Sequence, residues 1–239
     1  MDAAARTLPW PDLWNARGLG GLPTPSRPKA PGALIRSDSL VHLTAAGRQM
    51  LLASGVRRVI DLRAADEAVA EPDPELPAGA YLGLPIRGVD YPGHGSDSRR
   101  AVYRTMLDDY QDLMARAVGA IGSAPPGGVL VHCHAGKDRT GLVIALALAV
   151  AGVPDADIAA DYGYRGPGLL AEAQRVIDRS TVPADRDLRF DRQSADPETM
   201  LAVLEHLRAA HGGVEKYLMA GGLDAGAQDV VRRRLLTAP

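Results

Sequence analysis

Apolar residues along this chain fall into short β-branched or aliphatic runs separated by longer stretches of helical periodicity. Residues 32–37, 56–63, 80–86 and 129–131 read as strands, each bounded by Gly, Pro or charged residues. The stretch 44–53 predicts a helix with Leu51 and Leu52 inward, Ser39 or Thr44 as its cap and Gly55 as its stop. Apolar positions at helical spacing then run through Tyr103, Met106, Leu107, Tyr110, Leu113, Met114, Ala117 and Ile121, predicting one helix over 102–121 whose tyrosines and methionines belong to the core. A dense Ala and Leu run predicts a buried helix over 142–150, stopped by Gly152. Pro154 and Asp155 open a further helix carrying Ile158, Ala159, Asp161 and Tyr162. Residues 169–178, 197–210, 214–220 and 225–236 are helical in pattern, with glycines at the turns. Loops are expected at the Pro-rich 23–31, at 71–77 and over the polar, aperiodic 87–100. Strands alternating with helices predict an α/β fold, with a central, mostly parallel sheet flanked by helices and a helical C-terminal part over 169–239.

Length and charge narrow this picture only slightly. The 239 residues suffice for a full core and predict one domain over 1–239, its N-terminal segment 1–31 clamped to the core by Trp10 and Trp14. A formal net charge of −2 gives no reason to expect nucleic acid or an anionic membrane as a partner. One cysteine excludes internal disulfides. Residues 1–11 have no apolar core of signal-peptide length, and the longest apolar run, 142–153, is too short to span a bilayer. The expectation is a soluble, cytoplasmic protein without a membrane anchor, with export by a route lacking a cleaved signal left open. Oligomeric state is not legible.

The chemistry concentrates in residues 127–141, Gly-Gly-Val-Leu-Val-His-Cys-His-Ala-Gly-Lys-Asp-Arg-Thr-Gly. Strand, tight loop and helix aim successive backbone N–H groups and a helix N-terminus at one spot, which favours anions. Cys133 sits in that loop, where the same field stabilises a thiolate. Arg139 adds a planar fork of donors suited to two phosphoryl oxygens. Nucleophile, amide cradle and guanidinium together suit cleavage of a phosphate ester through a phosphocysteine. Other readings fit less well. A nucleotide-binding loop would need Ser or Thr after Lys137, where Asp138 stands, and Gly at the position of Val131. A metal at His132, Cys133 and His134 is disfavoured because neighbouring side chains at a strand end alternate in direction, so no metal or other cofactor is expected. Asp61, at the end of its strand, enters as an acid or as an ion-pair partner of Arg63 or Arg139.

The run from His132 to Gly141 resembles the phosphate loop of the cysteine-dependent protein tyrosine phosphatase superfamily, and its Ala-Gly-Lys-Asp-Arg-Thr-Gly form is similar to the bacterial tyrosine phosphatase family 3. The Gly-Val-x-x-Val-Ile-Asp-Leu-Arg pattern from Gly55 to Arg63, the Ala-Asp-Tyr element at 160–162 and the Gly-x-x-x-x-Tyr-Leu element at 212–218 extend the resemblance over nearly the whole chain. Gly18 replaces the acidic residue of the family's N-terminal element, which leaves no polar role at that position. The resemblance implies that Cys133 attacks phosphorus and that His134, Ala135, Gly136, Lys137, Asp138 and Arg139 bind the phosphoryl group. It also implies that Asn15 and Arg17 brace the loop from behind. Thr140 is expected to donate to the Cys133 sulfur and His132 to orient the loop. Asp138 ranks first as general acid and Asp61 second, with Asp90 and Asp97 as further candidates; Tyr162 and Arg165 are candidates for the pocket border. Lys137 is associated in the lipid-phosphatase branch with additional phosphates on inositol. The expected substrate is phosphotyrosine on proteins, with dual specificity included; a small phosphorylated metabolite or a phosphoinositide is the alternative. A phosphate-recognition module without turnover is the non-enzymatic reading.

Overall fold

The computed structural model describes residues 4–25, 33–87, 95–164, 167–178 and 194–237. Its sheet contains β1 (Arg17–Gly18), β2 (Leu34–Ser37), β3 (Val56–Asp61), β4 (Tyr81–Gly83) and β5 (Gly128–His132), in the spatial order β1-β2-β5-β3-β4. Strands β2, β5, β3 and β4 run parallel, and β1 pairs antiparallel with β2. Central β5 is buried at every position, as expected of a strand covered on both faces. Register places Ser37 and Asp61 on either side of His132, so three strand ends finish level with one another. In an open parallel sheet that edge is where ligands bind.

The helices are α1 (Ala45–Ala53), α2 (Ala65–Ala70), α3 (Gly95–Asp109), α4 (Gln111–Gly122), α5 (Asp138–Val150) and α6 (Asp155–Gly163), followed by α7 (Pro167–Asp178), α8 (Pro197–His211), α9 (Val214–Ala220) and α10 (Ala225–Leu236). The α/β architecture with a helical C-terminal part is as expected. Thr44 caps α1 by accepting from the Gly47 amide at 3.2 Å. From Arg139 to Leu148 every residue of α5 is buried, so this helix is the spine of the larger core. Burying each of its leucines contributes about 1.5–3 kcal/mol. A smaller cluster on the other face gathers Trp10, Leu13, Ile35, Leu40, Leu51, Val59 and Leu130, which ties the N-terminal segment down. Trp14 is only half-buried, its ring 5.5 Å from that of His42.

Three boundaries differ from the pattern. The expected single helix over 102–121 is two, broken at Tyr110 (φ −120°, ψ 31°), because an apolar stripe of period 3.6 continues across a one-residue break. α3 begins at Gly95, inside the stretch expected to be loop, since its polar first turn carries no periodicity. α5 begins four residues before the apolar run, with Asp138, Arg139 and Thr140 as its first turn. α2 buries no residue, so no apolar stripe announces it. Among the described residues, no helix is long and apolar enough to cross a membrane.

Candidate active site

Residues 133–137 link the end of β5 to the start of α5, and Cys133 lies at the base of this loop, 3% exposed. The loop is held from outside by its carbonyls. The Ser39 amide donates to His134 O at 2.8 Å, Asn15 Nδ2 donates to Ala135 O at 3.0 Å and to Gly136 O at 3.1 Å, and Arg36 Nη2 donates to Gly136 O at 2.7 Å. No described peptide is cis. In a trans peptide the N–H points opposite to the C=O of the same plane. Turning these three carbonyls outward therefore turns the amides of Ala135, Gly136 and Lys137 the other way. Gly136 makes this turn at φ +66°, and a Cβ there would stand 2.2 Å from Ser37 O, so glycine is required.

Beneath the loop, one carboxylate gathers three arginines. Asp161 lies 2.9 Å from Arg6 Nη1, 3.2 Å from Arg17 Nε and 2.8 Å from Arg36 Nη1, all four residues buried. Burial alone would raise the Asp161 pKa, but Arg17, Arg36 and Arg6 hold it far below the usual carboxylate range. Burial and the neighbouring Arg36 lower the Arg17 pKa to about 10, against the pull of Asp161. Arg17 Nη1 also donates to Asn15 Oδ1 at 2.5 Å, so the network runs unbroken from Asp161 to the loop carbonyls. Buried Asp38 accepts from the amides of Trp14 and Asn15 and fixes that segment.

Arg139 presents its guanidinium to Glu67 of α2. Nη1 and Nη2 reach the two carboxylate oxygens, Nη2 to Oε1 at 3.0 Å, and Nη1 also donates to Ile86 O at 3.2 Å. Both pKa values move as the pairing requires: Glu67 is pulled down, chiefly by the Arg139 hydrogen bonds, and Arg139 is pushed up despite burial. Asp138 Oδ1 accepts from the Tyr103 hydroxyl and, at 2.6 Å, from Lys137 Nζ. The hydroxyls of Tyr103 and Tyr162 lie 2.7 Å apart, which continues the chain inward. A buried thiol, inward-facing amides, an oriented guanidinium and a partly exposed carboxylate thus meet at one strand–helix junction, as a phosphate-ester site requires.

The profile of the tyrosine phosphatase family matches residues 8–237. The chain belongs to the tyrosine phosphatase family. It is similar to a tyrosine-protein phosphatase of Nostoc commune, 32% identical over 211 residues that cover 80% of this chain and 70% of the relative. It is also similar to the triple specificity protein phosphatase PtpB of Mycobacterium tuberculosis, 29% identical over 276 residues that cover 97% and 98%. It is therefore an enzyme of protein-tyrosine-phosphatase type whose substrate is phosphorylated.

The structure meets the remaining expectations for this phosphatase in part. Asp61 is paired with Arg63, which donates from Nη2 at 2.8 Å, and accepts from Tyr81 at 3.0 Å. Burial raises its pKa, but Arg63 and His132 bring it below the usual value. Arg139 takes Glu67 as its partner instead. Lys137 is not a free charge at the rim: it is 4% exposed and turned onto Asp138, and burial lowers its pKa. The Thr140 hydroxyl is buried with no hydrogen-bond partner among the described residues, so the expected bond to sulfur is not made here. His132 lies 3.1 Å from the Cys133 carbonyl through Nδ1 and 3.1 Å from Asp73 through Nε2. The His134 side chain is exposed, 3.7 Å from Glu71. Tyr162 is in the core behind Tyr103. Asp90, Arg165 and the side chain of Asp97 lie outside the described residues.

Glu67, Tyr103, Arg36 and Asp161 were missed as parts of the site. Tyr103 fits its helical stripe and is indeed buried, which hid the role of its hydroxyl. Glu67 follows the Asp-Leu-Arg strand end by four positions, and that proximity to the ligand edge was its one available signal.

Proposed function

We propose that this phosphatase hydrolyses phosphotyrosine on proteins, with dual specificity, through a phosphocysteine on Cys133. The observation that carries this reading is the capture of three loop carbonyls by Ser39, Asn15 and Arg36, which turns the amides of Ala135, Gly136 and Lys137 to the opposite side of the loop that begins at Cys133. The Cys133 thiolate forms the S–P bond as the P–O bond to the tyrosine oxygen breaks, and Asp138 supplies the proton that the leaving oxygen needs. Water then attacks phosphorus, gives its proton to the Asp138 carboxylate and releases the sulfur. Charge on the three equatorial oxygens is met by the loop amides and by Arg139. Glu67 takes one N–H from each of Nη1 and Nη2 and Ile86 O accepts from Nη1, so the Nε–Nη2 edge, with Nε–H and the second N–H of Nη2, is the one assigned to phosphate. Asp61 and His132 are assigned to positioning, Thr140 to stabilising the sulfur as it leaves, and Asn15 and Arg17 to bracing. The whole chain acts as one catalytic unit, supported by a family match across nearly all of it. A nucleophile that must stay reduced suits the cytoplasm.

The test is turnover of a panel by wild type and Cys133→Ser with a chelator present: phosphotyrosine and phosphoserine peptides, a phosphoinositide and several sugar or nucleoside phosphates. Hydrolysis of the phosphotyrosine peptide that survives chelation and disappears in Cys133→Ser supports the proposal. Preference for another member of the panel reassigns the substrate, and binding without turnover replaces the enzyme reading with a recognition module.

A further inference from the structure

Far along the chain from the phosphate loop, three side chains converge between α3 and α8. Asp108, in the last turn of α3, places one oxygen, Oδ1, 3.4 Å from His206 Nε2 and 3.2 Å from His211 Nε2. The three donor atoms all lie within 4.8 Å of one another. We propose that Asp108, His206 and His211 form a binding site for a divalent cation of zinc type, which staples α3 to α8.

The geometry supports this in three ways. First, tetrahedral bonds of about 2.0–2.2 Å place neighbouring donors roughly 3.3–3.6 Å apart, and the two nitrogen–oxygen separations of 3.4 Å and 3.2 Å lie close to that spacing. Second, the rings are held in place before any ion arrives. The His211 ring packs edge-on between those of His206 and Tyr217, with centroids 5.6 Å and 5.1 Å away. Tyr217 is itself buried and donates through its hydroxyl to Leu107 O at 2.7 Å. Third, the donor set is selective. Two imidazoles and one carboxylate suit zinc and its borderline neighbours, whereas calcium and magnesium prefer oxygen throughout. All three side chains are partly exposed, so solvent can supply a fourth ligand.

A comparable trio, Asp61, Asp73 and His132, cannot serve in this way. The Arg63 guanidinium lies 2.8 Å from Asp61 and 2.9 Å from Asp73 and already neutralises them. Sequence reading did not find the Asp108 site, because 98 residues separate Asp108 from His206 and the His-x4-His spacing of His206 and His211 stands without a second ligand pair at zinc-type spacing. α3 also carries Tyr103, which bonds Asp138, so the ion would brace the helix that lines the catalytic carboxylate.

The experiment titrates zinc into the full chain in competition with a chromophoric chelator. Cys133→Ser is the parent, so that the active-site thiolate is not counted as a ligand. The expected result is one zinc per chain with a Kd of about 10 μM or tighter, weakened at least about 10-fold by His206→Gln, by His211→Ala and by Asp108→Asn. A second readout is thermal or urea unfolding: zinc at about 100 times the parent's Kd should raise the folding equilibrium constant about 100-fold in the parent and about 10-fold or less in the variants. No saturable binding up to about 1 mM, or binding that survives in all three variants, overturns the assignment.

Discussion

In the proposed mechanism Asp138 carries two demands that pull against each other. It must hold a proton for the leaving oxygen, yet it accepts from Tyr103 and from the buried Lys137. As general acid it should contribute about 10²–10⁴-fold to turnover. Asp138→Asn is expected to lower kcat by that factor on a phosphotyrosine peptide but by less than about 10-fold on an aryl phosphate whose leaving group is already acidic. Tyr103→Phe removes one of the donors. We expect a kcat loss of roughly 10-fold with KM nearly unchanged, and a displaced alkaline limb in the pH–rate profile, because Tyr103 acts through Asp138, which must be protonated. A loss confined to KM would sink that role. Cys133→Ser should lower turnover by roughly 10⁴-fold or more while ligand binding persists. At this scale the sequence was most readable where residue types are chemically scarce, as with the single cysteine and the arginine six positions on. It was least readable where a common residue does two things. Tyr103 is both core filler and hydrogen-bond donor, and a hydrophobic pattern reports only the first.

Among the elements, the decisive one is the five-residue loop between β5 and α5, and its conformation hangs on Gly136. A methyl group there meets Ser37 O, Ser37 C and the Asp38 amide nitrogen, all of them backbone atoms within 2.7 Å. Gly136→Ala must therefore displace either β2 or the loop. The expected outcome is turnover lower by about 10²-fold or more, from amides about 1 Å out of place. A loop that tolerates alanine with full activity would contradict the close approach to β2. The strand and helix on either side of this loop were legible because β5 and most of α5 are buried throughout and read as apolar runs. The break at Tyr110 was not, since two helices sharing one buried stripe look like one. The start of α5 was missed for a related reason: its first turn is charged and serves the site, so it lacks the apolar signal of the rest.

Across the whole molecule, Asp161 ties together parts of the chain that lie far apart in sequence. Through it the N-terminal segment, β2 and α6 share one buried network that ends on the carbonyls of the phosphate loop. Asp161→Asn takes from three buried guanidiniums the carboxylate they share, and a loss of about 3–5 kcal/mol in urea unfolding is expected. Acid should probe the same network. The folded-state pKa values of Asp61, Glu67 and Asp161 all lie below their ordinary values. Groups depressed in this direction stabilise the fold fully above their unfolded values, about 3.9–4.3, and lose that contribution as pH falls through the folded ones. Stability should therefore be level above about pH 5 and decline on further acidification. In Asp161→Asn the decline should be shallower, measured by urea midpoints across the range. Sequence reasoning reached the layered architecture because alternating strands and helices leave few ways to pack. It did not reach this network, because buried arginines follow no period and only the folded chain shows which carboxylate they share.

The solitary thiol has a consequence for the life of the protein under oxidants. Peroxide would convert Cys133 to a sulfenic acid, and the chain holds no second cysteine that could trap it as an internal disulfide. Rescue must come from a small-molecule thiol or from a neighbouring backbone nitrogen closing a sulfenamide, in competition with irreversible passage to the sulfinic acid. How long this catalyst survives in a stressed cell is thus set by the thiol pool around it.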